Sequence, residues 1–310
     1  MKVAVIGGGH IGASVALMFA RAGYETGIYN RSANGRATAL AWMQNALQIL
    51  IGLALETEAG AEAALARIAP GEEIEAAAAE AGYVFEAVAE DLELKKQVFA
   101  RLDSACPAPA ILASGTSGLR IGDIAAATAH PERVIGVHHF TPPHIVPGVE
   151  VVAGPATSAE TVRHTMHLLK VLGRRPVLSP DVPGFIANRL SSALRREAWA
   201  IVEAQLASAA DVDEIWKGSL GPIYAALGPL TVCDASGMDV LLAVHEYVEP
   251  VLWPPSSPSA MVRAMRDRGD LGLKSGRGFH DWPPERAAEL HRLRDAFLLR
   301  IFESGASEPV

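Results

Sequence analysis

Short, nearly unbroken apolar runs alternate with longer stretches of helical periodicity through the first 180 or so residues. Residues 3–6, 26–29, 83–85, 110–113 and 134–137 are the apolar runs, as expected of parallel strands covered on both faces. After the first of them, Val15, Met18, Phe19 and Ala22 recur at helical spacing, and Gly23 ends that helix. Residues 37–80, rich in Ala and Glu, predict one long helix or a helical pair broken at Pro70-Gly71. A helix ending at Leu102 and another over 158–172 follow, with residues 176–178 as the last strand. Beyond Asp181 the pattern becomes helical throughout, with turns at Gly218–Pro222, Gly228-Pro229 and Pro254-Pro255. This alternation predicts an α/β Rossmann-type domain, a mostly parallel doubly wound sheet, over 1–182. An all-α domain over 183–310 is predicted to follow it.

Length and composition agree with that division. A chain of 310 residues, half hydrophobic and one fifth charged, is long enough for two cores and ordinary for a soluble enzyme. A net charge of −8 argues against a nucleic-acid partner, which leaves a basic footprint. No apolar run reaches the length of a membrane span, and the first residues read as a strand and not a signal peptide. Cys106 and Cys233 stand far apart and in no metal spacing, so neither a disulfide framework nor a metal site is expected, and the cytoplasm is the expected compartment.

The first strand runs into Gly7-Gly-Gly-His-Ile-Gly12, which satisfies G-x-G-x-x-G through Gly7, Gly9 and Gly12. Between a strand and a helix, such a loop brings backbone against a dinucleotide pyrophosphate at the helix N-terminus, with His10 and Ile11 in the same turn. The second strand ends in Asn30-Arg31-Ser32, where an NAD enzyme usually carries an acidic residue. These three can each donate to a ribose 2′-phosphate, which favours NADP(H), with NAD(H) as the alternative. Glu90 and Ser114, near the ends of later strands, complete the expected cofactor site.

Two histidines close the run that ends at Val137, and three prolines stiffen the segment before Glu150, a lone carboxylate in a second apolar run. His138 at a strand end is a candidate general base, and Glu150 a candidate to orient it. Ser117, in Ser114-Gly-Thr-Ser117 at the end of another strand, is a candidate substrate donor or a turn residue. Asn188 lies on an apolar helix face, where its amide needs a partner. The segment Leu271-Gly-Leu-Lys-Ser-Gly-Arg-Gly-Phe-His280 reads as a glycine-rich turn between helices.

Together these residues resemble the 3-hydroxyacyl-CoA dehydrogenase family over almost the whole chain. The resemblance rests on Ser114-Gly-Thr-Ser117, Gly136-Val-His138-His-Phe-Thr-Pro142, Val149-Glu150-Val151, Pro183-Gly-Phe-Ile-Ala-Asn188-Arg189 and Gly276-Arg-Gly-Phe279, in the family's order and close to its spacing. It implies an oxidoreductase on CH–OH donors with catalytic His138 paired to Glu150, and Ser117 and Asn188 as polar substrate contacts. It also implies a helical C-terminal domain that forms a homodimer. The segments from Glu90, Pro142 to Glu150 and Glu197 to Glu203 look more like the lambda-crystallin, L-gulonate 3-dehydrogenase and carnitine dehydrogenase branch, which oxidises free 3-hydroxy acids. The absence of lysine between Lys2 and Lys95 points the same way, since an acidic helix repels the phosphates of CoA.

The expected reaction is thus the interconversion of a small free 3-hydroxy acid and its 3-keto acid. A CoA thioester dehydrogenase and a non-catalytic cofactor-binding protein are the alternatives. His139, Thr141 and Gly115 depart from the family pattern, and His139, Thr141 and Lys217 are the expected substrate contacts. His144 is a further one, and Arg189 and Lys274 share with Lys217 the candidacy for a carboxylate partner.

Overall fold

An eight-stranded sheet organises the first part of the computed structural model, which describes residues 1–254 and 259–303. Its strands are β1 (Lys2–Ile6), β2 (Thr26–Tyr29), β3 (Ile68–Gly71), β4 (Ala81–Glu86), β5 (Ile111–Ser114), β6 (Val134–His139), β7 (Gly148–Val152) and β8 (Arg175–Ser179). They lie in the order β3-β2-β1-β4-β5-β6-β7-β8. Neighbours run parallel except β6 and β7, which are antiparallel.

Seven helices precede or connect these strands within the first unit: α1 (His10–Arg21), α2 (Ala33–Gly52), α3 (Glu58–Ala66), α4 (Ile74–Ala78), α5 (Leu92–Ala105), α6 (Ile121–Ala125) and α7 (Ala159–Val171). Alternation along each strand divides the core into two faces. Val3, Val5, Ile135 and Val137 pack with residues of α1, α2, α3 and α7. Ala4, Ile6 and Val134 pack with residues of α4, α5 and α6, among them Phe99, Leu102 and Ile124. A sheet so covered explains why the strands read as continuous apolar runs.

The break expected at Pro70-Gly71 is corrected. Those residues belong to β3, the outermost strand, where a proline is tolerated because the sheet ends there. The helical pair is instead α2 and α3, interrupted before Thr57. Each begins at a hydroxyl cap: Ser32 accepts from the Gly35 amide at 3.1 Å and Thr57 from the Gly60 amide at 3.0 Å.

The chain divides into compact units Met1–Arg189 and Leu190–Val310. Phe185 is 1% exposed in the core beneath α5 and α6, so the Pro183-Gly segment packs with the first unit. The helix α8 (Ala187–Glu203) starts in the first unit. The second unit continues with α9 (Ala209–Ile215), α10 (Gly221–Leu227), α11 (Pro229–Ser236), α12 (Met238–Val248), α13 (Ala260–Asp267) and α14 (Pro284–Glu303). Gly228, at φ +78°, turns the chain between α10 and α11 as expected. The turn expected at Gly218–Pro222 is not one: residues 216–220 form a π-helical turn that runs into α10, with Pro222 in its first turn. Pro255 lies outside the described residues.

Candidate active site

His138 and Glu150 stand directly opposite each other on β6 and β7. Their side chains meet on the face that also carries Phe185, His138 Nδ1 lying 2.8 Å from Glu150 Oε2. Both are buried, and the Phe140 and Phe185 rings lie 4.7 and 6.0 Å from the imidazole. The other carboxylate oxygen accepts from the Ile186 amide at 2.8 Å, the Ala187 amide at 3.0 Å and Ser179 Oγ at 3.3 Å. Glu150 therefore sits at the N-terminus of α8, where the helix dipole and unpaired amides favour negative charge. With Nδ1 held by the carboxylate, Nε2 is the nitrogen through which the imidazole can take or give a proton. Ser179 and the two amides were not foreseen; only the Pro183-Gly turn hinted that a helix would start there.

Asn188, in the first turn of α8, donates its amide to the carbonyl of Ser117. The Ser117 segment is in turn tied to Glu90, whose Oε1 accepts from Thr116 Oγ1 at 2.6 Å and from the Ser117 amide at 3.0 Å. Thr116 Oγ1 itself accepts from the Leu119 amide at 3.1 Å. Beneath this loop Lys95 reaches Glu86 at 2.7 Å and Glu90 at 3.4 Å. Ser114, expected at the cofactor, is fully buried and donates to Glu86 at 2.7 Å. Lys95 and Glu86 were missed, although the pattern carried a signal. Lys95 shares a helical face with Val98, Phe99 and Leu102, so the apolar stripe of α5 places an ammonium in the core.

The glycine loop leaves β1 as expected, and its three glycines are needed for different reasons. Gly7 has φ +114°, and a Cβ there would lie 2.5 Å from the Ala87 carbonyl oxygen. A Cβ on Gly12 would lie 1.8 Å from the Gly7 carbonyl oxygen. Over Gly9, the residue that precedes α1, a Cβ would meet no described atom beyond its chain neighbours within 4 Å. The first turn of α1 has no side-chain cap and no acidic residue, so its leading amides are left without a side-chain partner next to the open space over Gly9. These features fit the diphosphate of a dinucleotide. At the end of β2 the Asn30 side chain lies between Gly8 and Gly35, and Arg31 is exposed, with no hydrogen bond or ion pair among the described residues. Ser32 uses its oxygen as the cap of α2.

The other expected contacts within the first unit are dispersed. His139 points to the opposite face of β6 from His138, edge-on to Phe85 at 5.4 Å. Its Nδ1 is buried without a partner, and burial, with Arg174 and His138 adding to it, pushes its pKa down to about 3. His144 lies on α1 and α2, 3.5 Å from Ser14 Oγ and edge-on to Trp42, which stacks with His10. Thr141 is exposed. Arg174 donates to the carbonyls of Pro143 at 3.0 Å and Val146 at 3.3 Å, which holds the segment after Thr141. Arg189 is exposed beside Asn188. In the second unit Lys217 pairs with Glu214 at 3.1 Å, and Lys274 lies in the glycine-rich turn between α13 and α14. Among the described residues no group of three or more His, Cys, Asp or Glu could hold a metal ion, and no helix is long and apolar enough to cross a membrane.

A mostly parallel sheet with a glycine-loop cradle and a buried His–Glu pair defines an oxidoreductase built on a dinucleotide-binding domain. The chain matches the 3-hydroxyacyl-CoA dehydrogenase NAD binding domain over residues 2–182 and the C-terminal domain of the same enzymes over residues 184–282. It belongs to the 3-hydroxyacyl-CoA dehydrogenase family. It is 37% identical to 3-hydroxyadipyl-CoA dehydrogenase of Escherichia coli over 95% of its own length, but spans only 62% of that protein. It is 31% identical to the human lambda-crystallin homolog, covering 96% of this chain and 94% of that one. Its fold is similar to the crystal structure of 5-formyl-3-hydroxy-2-methylpyridine 4-carboxylic acid 5-dehydrogenase, described as an NAD+-dependent dismutase. That match has a TM-score of 0.91 at 29% identity and covers 100% and 99% of the two chains.

Proposed function

We propose that the protein interconverts a small free 3-hydroxy acid and its 3-keto acid with His138 as acid and base. The observation that carries this reading is the 2.8 Å contact between His138 Nδ1 and Glu150 Oε2, which leaves Nε2 for the substrate. In oxidation Nε2 takes the hydroxyl proton, and in reduction it returns it. Glu150 holds the ring in one orientation and stabilises its charged form, while Ser179 and the α8 amides keep the carboxylate in place. Ser117 and Asn188 polarise the oxygen on the reacting carbon. The nicotinamide, when bound, supplies and accepts the hydride. Gly9 and the first-turn amides of α1 would hold its diphosphate.

A free acid is supported by the surface around α2 to α4, which carries no lysine. Its neighbouring arginine Arg36 is already paired with Glu72 at 2.6 Å, and Arg67 donates to the Ala63 carbonyl. The dismutase of similar fold, named for a pyridine carboxylic acid, supports the same class. The competing reading, a CoA thioester, is supported by the likeness to 3-hydroxyadipyl-CoA dehydrogenase. Assay of a panel of free 3-hydroxy and 3-keto acids against acetoacetyl-CoA separates them. Turnover confined to the thioester overturns the free-acid reading.

For the cofactor, the exposed Arg31 and the absence of a carboxylate at Asn30 support NADP(H) over NAD(H). A homodimer through the second unit is supported by exposed apolar side chains on α11 and α12, Leu230 at 79%, Val240 at 56% and Tyr247 at 85%. Light scattering on the purified protein tests it, and a monomer at all concentrations would exclude it.

A further inference from the structure

Glu86 is fully buried at the end of β4, and its side-chain hydrogen bonds go to Lys95, Val88 and Ser114 and not to the acid–base pair. Its Oε1 accepts from Lys95 Nζ and from the Val88 amide, both at 2.7 Å, and its Oε2 accepts from Ser114 Oγ at 2.7 Å. Lys95 is 1% exposed and lies between two carboxylates, Glu86 at 2.7 Å and Glu90 at 3.4 Å. Glu90 is partly exposed and spends its other oxygen on Thr116 Oγ1 and the Ser117 amide. The loop that carries Ser117 is thus pinned at its base by Ser114 and at its tip by Glu90, and both pins lead back to Glu86.

We infer that Glu86 is a positioning residue for Ser117, acting through Lys95 and Glu90. The inference rests on the proposed dehydrogenase reading. The physical reason is the division of one buried ammonium between two carboxylates. The Glu86 carboxylate takes the shorter contact, and Glu90 remains extended toward Thr116 and Ser117. With a neutral side chain in place of Glu86, Glu90 is the sole carboxylate beside a desolvated ammonium, and the stronger charge-assisted contact draws it inward. The loop then loses its tip, and with it the alignment of Ser117 and of the carbonyl that holds Asn188.

The test is E86Q, which keeps volume and acceptor oxygen while it removes the charge. A displacement of the loop by an ångström is expected to lower kcat by about 10- to 100-fold. Cofactor affinity, read by NAD(P)H fluorescence, should hold, and hydrogen exchange of the 114–119 peptide should accelerate more than that of the other sheet segments. Wild-type kcat in a folded E86Q overturns the proposal, whatever happens to its melting temperature. If E86Q does not fold, T116V removes the stronger of the two Glu90 contacts to the tip while leaving Glu86 and Lys95 paired; the same kcat loss supports the proposal and wild-type kcat overturns it. If the wild-type enzyme turns over none of the substrates, it is the functional reading that has failed. Hydrogen exchange in E86Q then decides the positioning role alone, and unchanged exchange over 114–119 overturns it.

Discussion

His138 and Glu150 are twelve residues apart in the chain but exact cross-strand partners in the antiparallel pair of β6 and β7. The stiff segment between them, with three prolines, is the connection that turns the chain back so that one strand supplies the imidazole and the next its carboxylate. It is also the only antiparallel pairing in the sheet among the described strands.

Replacing His138 by Asn removes the group that moves the proton and little else. Turnover in both directions should fall by about 10²–10⁴-fold. Fluorescence titration should show NAD(P)H binding as in the wild type, because the glycine loop is untouched. Retained turnover would remove His138 from the mechanism.

The carboxylate gives a sharper prediction. Glu150 Oε1 faces only donors, the Ile186 and Ala187 amides and the Ser179 hydroxyl. In E150Q the amide oxygen must stay with the backbone donors, so the NH2 turns toward His138 Nδ1. That nitrogen must then accept, and the proton moves to Nε2, which can no longer act as a base. Oxidation should drop by about 10²–10⁴-fold with the fold retained, as judged by circular dichroism and steady-state kinetics.

Two alanine substitutions in the glycine loop should part company. G9A adds a methyl where no described atom beyond its chain neighbours lies within 4 Å, so melting temperature should be preserved while cofactor affinity falls. G12A drives a methyl to 1.8 Å from the Gly7 carbonyl and should cost stability as well as binding. Equal effects of the two on melting temperature would contradict the cradle at Gly9.

His139 ties stability to acid. Its pKa in the folded protein, about 3, lies below the ordinary 6.5, so between those values the unfolded chain binds more protons. Stability due to this residue is complete above 6.5 and is lost as pH falls toward 3, with a slope of at most about 1.4 kcal/mol per pH unit. His139→Leu should flatten that part of the curve of melting temperature against pH. An unchanged acid limb would mean that other groups set it.

Arg31 should decide between the two nicotinamide cofactors. Loss of a charge-assisted contact to a 2′-phosphate is worth roughly 10- to 100-fold in affinity. R31A should therefore weaken NADPH by that amount and leave NADH unchanged, read by titration of each. A wild-type enzyme that prefers NADH would overturn this assignment before the variant is made.

Local pattern alone settled much of this protein. Continuous apolar runs mark strands buried on both faces, hydroxyl and glycine punctuation marks helix ends, and Gly7 to Gly12 marks the cradle, because each depends on neighbours a few residues away. The family resemblance was legible for a similar reason, since its motifs are short. Tertiary structure decided the rest. Pro70-Gly71 became an edge strand because β2 offered a free side, which no local propensity reports. His139, adjacent to His138, was sent to the other face of β6 by the two-residue period of a strand, once register fixed which face holds Glu150. Glu150's amide partners, and the Glu86–Lys95–Glu90 support under Ser117, join residues that meet only after the chain has folded. Sequence determined which groups could do chemistry; burial and register determined which of them face one another.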